Sequence, residues 1–110
     1  MKNELIQTEK KLDNGWAVWC VDGRIAITNA DQVYEFGKEI VEREQKTVMD
    51  MSNVIYISSA GLRVLSRLLK QAIKAGKTFT VAGATGHVKM VLVDSNMATI
   101  LNLKNSLEDL

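Results

Sequence analysis

Four consecutive residues, Ser58-Ser59-Ala60-Gly61, stand where an apolar run hands over to a leucine-patterned segment. The preceding Val54-Ile55-Tyr56-Ile57 is β-branched and aromatic and reads as a strand, while Leu62, Leu65 and Leu69 follow at helical spacing. A serine at such a junction has an ordinary task. Its oxygen accepts a hydrogen bond from an amide in the first helical turn, which contributes about 1 kcal/mol. One cap needs one serine, and two are present. The spare hydroxyl has another chemistry open to it, as the acceptor of a phosphoryl group. Ala60 and Gly61 are expected to leave the first turn bare to an approaching partner, since glycine within a helix otherwise costs about 0.5–1 kcal/mol relative to alanine.

Other chemistries find less support. His87 is the only histidine and Cys20 the only cysteine, so neither a histidine-based metal cluster nor an internal disulfide can be assembled. A Ser-His-Asp arrangement would have to use His87, two residues after the helix cap expected at Thr85, where a solvated surface histidine is the plain reading. Gly83 and Gly86 in "VAGATGHVKMV" have the spacing of a phosphate-binding turn, but Lys89 holds the third glycine's place. Too little chain follows for the remainder of a dinucleotide fold. No cofactor is expected, and the chain is expected not to be an enzyme.

The helix after the serines carries Arg63, Arg67, Lys70 and Lys74 at i, i+4, i+7 and i+11, a basic stripe along one edge. Such stripes are commonly solvated faces. This one could also dock an acidic partner, and Arg63, one turn beyond Ser59, could meet a phosphate.

These residues must be positioned by a small fold. The 110 residues suit a single domain over 1–110, with 46% apolar and 25% charged side chains and a formal charge of +1. That charge gives no reason to expect direct nucleic-acid binding. No apolar run reaches the roughly 20 residues that span a bilayer, and no signal-peptide pattern opens the chain, so no membrane insertion and a cytoplasmic location are expected. Cys20, inside "AVWCV", is expected to be buried. "ELIQTEKKL" suggests an edge strand, Asn14-Gly15 a hairpin turn, and "WAVWCVDG" a second strand. Thr28 and Asp31 have capping-box-like spacing before a helix marked by Val33, Phe36, Ile40 and Val41. "KTVMDM" reads as a buried strand. The next helix runs from about Ser59 to Ala75, with Leu62, Leu65, Leu69, Ala72 and Ile73 on one side and Gly76 as its stop. "KTFTVAG" is a further strand, and Val88, Val91 and Leu92 mark a helix that Asp94-Ser95-Asn96 breaks. "MATILNL" is ambiguous, and "NSLEDL" reads as the first turn of a helix that ends early. The order predicts an α/β fold, a small mixed sheet of four to five strands with helices packed mainly on one face.

The stretch "VMDMSNVIYISSAGLRVLSRLLKQAIKAGKTFTVAG" resembles the core of the STAS-domain family, the anti-sigma-factor antagonists of bacterial partner-switching systems. Asp50-Met51-Ser52 takes the family's Asp-Leu-Ser place, Ser59-Ala60-Gly61-Leu62 its phosphorylation turn, and "VDGRI" its early Gly-x-Leu segment. The resemblance extends over nearly the whole chain. It implies that Ser59, with Ser58 as second choice, is phosphorylated by an ATP-dependent serine-kinase anti-sigma factor. It further implies that the unphosphorylated form binds that kinase and that a phosphatase resets it; with the bare turn and the basic stripe, Ser58, Ala60, Gly61, Arg63 and Arg67 are the expected partner-binding residues. The chain departs from the family pattern at Ser58, often Asp, at Ala60, often Ser, and at Ala26, where an acid is frequent. Losing nearby acids makes the turn less negative. The alternative is a STAS-like subunit that docks on an ATPase of a membrane transport complex and is never phosphorylated.

Overall fold

In the computed structural model, which describes residues 4–110, the first hairpin pairs β1 (Ile6–Lys11) antiparallel with β2 (Ala17–Ile25). Its turn uses Gly15 at φ +94° and Asn14, whose Oδ1 accepts the Trp16 amide at 3.2 Å. Two helical crossovers then make the rest of the sheet parallel. These are α1 (Ala30–Arg43), leading to β3 (Lys46–Ile57), and α2 (Ser59–Lys74), leading to β4 (Thr78–Ala82). The strand order is β1-β2-β3-β4. The chain continues through α3 (Gly86–Asp94), α4 (Met97–Ile100) and a 3₁₀ turn at Leu107–Asp109. The fold is therefore the expected mixed sheet, with four strands.

The main core lies between the sheet and α1, α2 and α3. Trp19, Met49, Met51 and Val81 contribute from the strands, Val33, Ile40, Leu65, Leu68 and Leu92 from the helices, and Leu101 from beyond. Gly37 lets α1 descend onto Trp19, since a Cβ there would sit 2.3 Å from the indole. The Trp19 indole N–H donates to Gln7 Oε1 at 3.0 Å. On the opposite face Val18, Val48 and Ala82 have a thinner cover from Leu12, Trp16, Leu107 and Leu110. Cys20 lies on that face and is half-buried rather than buried.

Several local expectations change. Helix α1 is capped by Asn29 and not by Thr28, and Asn29 makes no side-chain bond to the helix. Instead its Oδ1 accepts the Ala26 amide and its Nδ2 donates to the Arg24 carbonyl, both at 2.9 Å, which fixes the loop between β2 and α1. "KTVMDM" and "VIYI" are one twelve-residue strand, with register shifts against β2 between Cys20 and Asp22 and between Gly23 and Arg24. The buried stripe of α2 runs through Ala60, Gly61, Val64, Leu65, Leu68 and Ala72; Leu62 and Leu69 flank it, and Ile73 is 66% exposed. Gly76, at φ +72°, ends α2 as expected, with the Lys77 amide donating to the Ala72 carbonyl at 2.8 Å. The ambiguous "MATILNL" forms α4 and then returns to the sheet, where Lys104 bridges to Ala82. Buried Thr80 secures that return by donating to the Leu101 carbonyl at 2.5 Å.

The β1 edge is tied to α1 by charge. Glu44, the C-cap residue of α1, accepts from Lys11 at 2.5 Å and from Arg43 at 3.0 Å, and Arg43 also reaches Glu9. The hydrogen bonds from Lys11, then from Arg43, hold the Glu44 carboxyl below the ordinary carboxylate range.

Candidate functional site

The ends of β2 and β3 lie side by side, and the turn that follows β3 is anchored to both. Ser58 is extended (φ −90°, ψ 173°), and its amide donates to the Ile25 carbonyl at 2.9 Å. Its Oγ accepts the Gly61 amide at 3.2 Å, and its carbonyl accepts the Leu62 amide at 3.0 Å. Ser58 is thus the cap. Its half-buried hydroxyl oxygen is engaged by the helix it starts.

Ser59 is the first residue of α2 and is exposed, and its side chain makes no hydrogen bond among the described residues. The two serines therefore divide the work that the sequence left undivided. The hydroxyl of Ser59 stands at a helix start, where the first amides lack intrahelical acceptors and the dipole's positive end faces outward.

Ala60 and Gly61 do not leave a bare surface, contrary to expectation. Gly61 is buried, and a Cβ on it would lie 2.6 Å from Ile57 Cγ1 and 2.8 Å from Ile25 Cγ2. Ala60 is 8% exposed. Their small size lets the helix seat on the ends of the two strands. Gly61 has no side chain to offer and Ala60 only a short one at the groove wall, and both contribute the fixed height at which Ser59 is displayed.

Beside Ser59 a groove runs between the helices, lined by Ile27, Ala30 and Asp31 on one side and Ala60, Arg63, Val64 and Arg67 on the other. Ile27 is 76% exposed, a large apolar side chain in open solvent at the rim. Arg67 lies over the Tyr34 ring, Cζ 3.9 Å from its centroid, and the Tyr34 hydroxyl in turn accepts from the Gln71 amide. Arg63 is exposed, and neither arginine has an ion-pair partner among the described residues. Lys70 and Lys74 continue the basic edge along α2 with Gln71. Ile27 was not legible as a site residue, because one apolar residue in a loop carries no periodicity. Only the Asn29 bonds that fix this loop give it a defined place.

On the other flank, Tyr56 stacks on His87 with ring centroids 5.6 Å apart and planes 1° from parallel, and Arg24 Cζ lies 4.6 Å from the Tyr56 centroid. His87 is exposed, as expected, but it is engaged by an aromatic face. It bonds to neither serine among the described residues. The structure does not join it to them as a catalytic pair. Gly83, at φ +80°, fits against Asp50 and Ser52, and Gly86, at φ +54°, has open space where a Cβ would stand. These glycines turn the chain from strand to helix.

A family model described as the STAS domain matches residues 7–110. A Bordetella bronchiseptica protein, provisionally named anti-sigma factor antagonist BtrV, is 31% identical over 102 residues, covering 92% of this chain and 87% of that one. The crystal structure of an anti-sigma factor antagonist from Mycobacterium paratuberculosis superposes with a TM-score of 0.89 at 20% identity, covering 99% of this chain and 92% of the other. SpoIIAA from Bacillus is similar in its unphosphorylated form, with a TM-score of 0.76 at 8% identity over 94% and 91% of the two chains. Its phosphorylated form gives 0.70 at 7% identity over 94% and 95%. No helix among the described residues is long and apolar enough to cross a membrane.

Proposed function

This chain belongs to the STAS-domain family, and from that premise we propose that it is an anti-sigma-factor antagonist switched by phosphorylation at Ser59. Unphosphorylated, it binds an ATP-dependent serine-kinase anti-sigma factor through the surface around Ser59, including Arg63 and Arg67, and so frees the kinase's client. Phosphorylated, it is released, and a phosphatase resets it. The observation that carries this reading is the division between the serines: Ser58 is consumed by capping, whereas Ser59 is exposed and its side chain unbonded among the described residues. The name given to BtrV and the two phosphorylation states of SpoIIAA support it.

The chemistry asks little of this chain. The Ser59 oxygen attacks the γ-phosphorus of ATP held by the kinase. The new O–P bond forms as the bond to the ADP oxygen breaks, and the hydroxyl proton passes to a base on the kinase. The product carries about −1.5 to −2 charges at neutral pH. At the start of α2 that charge meets free amides and the positive end of the dipole, so the domain stays folded. A partner packed against the same surface must desolvate a dianion. Each 1.4 kcal/mol lost weakens affinity about tenfold, so a loss of a few kcal/mol makes a switch.

The test is incubation with the serine-kinase anti-sigma factor of the same organism and ATP. Wild type and Ser58→Ala are expected to gain about 80 Da, one phosphate, and Ser59→Ala to gain nothing. In pull-downs, wild type and Ser59→Ala should retain the kinase and Ser59→Asp should lose it. No mass gain, together with capture by a transport ATPase, would move the chain to the docking-only reading.

A further inference from the structure

The two arginines lining the groove differ in freedom. Arg67 is held, its guanidinium laid on Tyr34, whose hydroxyl is fixed by Gln71. Arg63 is exposed and has no ion-pair partner among the described residues. It is four residues beyond Ser59 on the same helix, where side chains lean back toward the N-terminus and cover the preceding turn. Ala60, which follows Ser59 and lines the groove with Arg63, is a short side chain. Among the described residues Asp31 is the one acid lining the groove, against two arginines, so the groove fits a carboxylate-bearing segment of the partner.

We propose that Arg63 serves two anions in turn: a carboxylate of the docked kinase while Ser59 is free, and the phosphate once Ser59 carries one. Phosphorylation then acts twice on the docking surface. It adds a dianion at the rim and draws a cation out of the groove, while Arg67, eight residues beyond Ser59, stays on Tyr34. A phosphate and a guanidinium one helical turn apart form a charge-assisted pair with fork geometry, which a lysine would match only as a point charge. The proposal rests on Ser59 being the modified residue, as read above.

It can be tested without the kinase. Phosphoserine installed at position 59 during translation, in the full chain, gives a phosphate whose second ionisation is followed by phosphorus NMR against pH. A paired guanidinium favours the dianion, so Arg63→Ala should raise that midpoint by roughly half a unit, a modest effect for an exposed pair. Arg67→Ala should leave it unchanged. Equal shifts in the two variants would mean a diffuse basic field, and no shift in either would mean no pair. Each result would overturn the proposal. Because the phosphate is placed chemically, such a failure says nothing about the kinase, whereas an unmodified Ser59 in the mass measurement removes the premise and leaves the measured pair without a role.

Discussion

Helices α2 and α3 both follow a strand of the parallel sheet, and both open with a hydroxyl residue and a nearby glycine, yet they are built differently. At α2 the cap is made: Ser58 Oγ holds the Gly61 amide, and Gly61 lies against Ile25 and Ile57 with no room for a Cβ. At α3 the N-cap residue Thr85 makes no side-chain bond to the helix, and Gly86 faces open space at positive φ. The start of α3 is steadied from outside, by His87 stacked on Tyr56. The start of α2 is steadied from beneath, by core residues and the carbonyl of Ile25. Fixed presentation of the Ser59 hydroxyl comes from the second construction. A clamped cap leaves the neighbouring serine exposed at a constant height.

The contrast breaks most readily at the glycines. Gly61→Val drives a branched side chain into Ile25 and Ile57 and should cost about 3 kcal/mol in urea unfolding, within the range of core overpacking. Gly86→Ala meets no neighbour and should lose only the left-handed penalty of about 1 kcal/mol. If both lose the same, close packing is not what requires glycine at Gly61. The caps give the next largest difference. Ser58→Ala should cost about 1 kcal/mol, and Thr85→Ala no more than about 0.5 kcal/mol, because only the first removes a bond. Ser58→Ala must also leave Ser59 phosphorylatable, which separates the two serines by role.

How much of this was legible follows from what kind of signal each feature carries. Strand and helix placement rests on periodicity and turn residues, and Asn14-Gly15, Gly76 and the run from Val54 to Ile57 stated it openly. The serine pair was legible as a junction, but which hydroxyl caps was not. That depends on the Ile25 carbonyl reaching the Ser58 amide, a contact between residues 33 positions apart. Gly61 was misread for the same reason, since the atoms that exclude a Cβ include Ile25 Cγ2, far away in sequence. Thr28 had the local spacing of a cap, yet Asn29, in bonding Ala26 and Arg24, took the position instead. The spacing already set Arg63 apart by its nearness to Ser59, but that Arg67 is laid on Tyr34 was not legible, because it depends on the packing of α1 on α2.

The smallest expected effect tests whether the two helix starts are independent. In the Tyr56–His87 stack the histidine is exposed and the tyrosine half-buried, so the pair should contribute near the lower end for an aromatic pair, about 0.5 kcal/mol. Removing it with His87→Ala should loosen α3 locally, raising amide exchange at Lys89, whose N–H donates to the Thr85 carbonyl, by roughly twofold. The amides of Gly61 and Leu62, both held by Ser58, should keep their protection. Tyr56 is the reason the result is informative. It lies three residues before Ser59 on β3, so any coupling between the two starts would have to pass through the strand that feeds α2. Faster exchange at Gly61 in the same variant would show that α2 is steadied from the α3 side as well, and the display of Ser59 would then depend on His87.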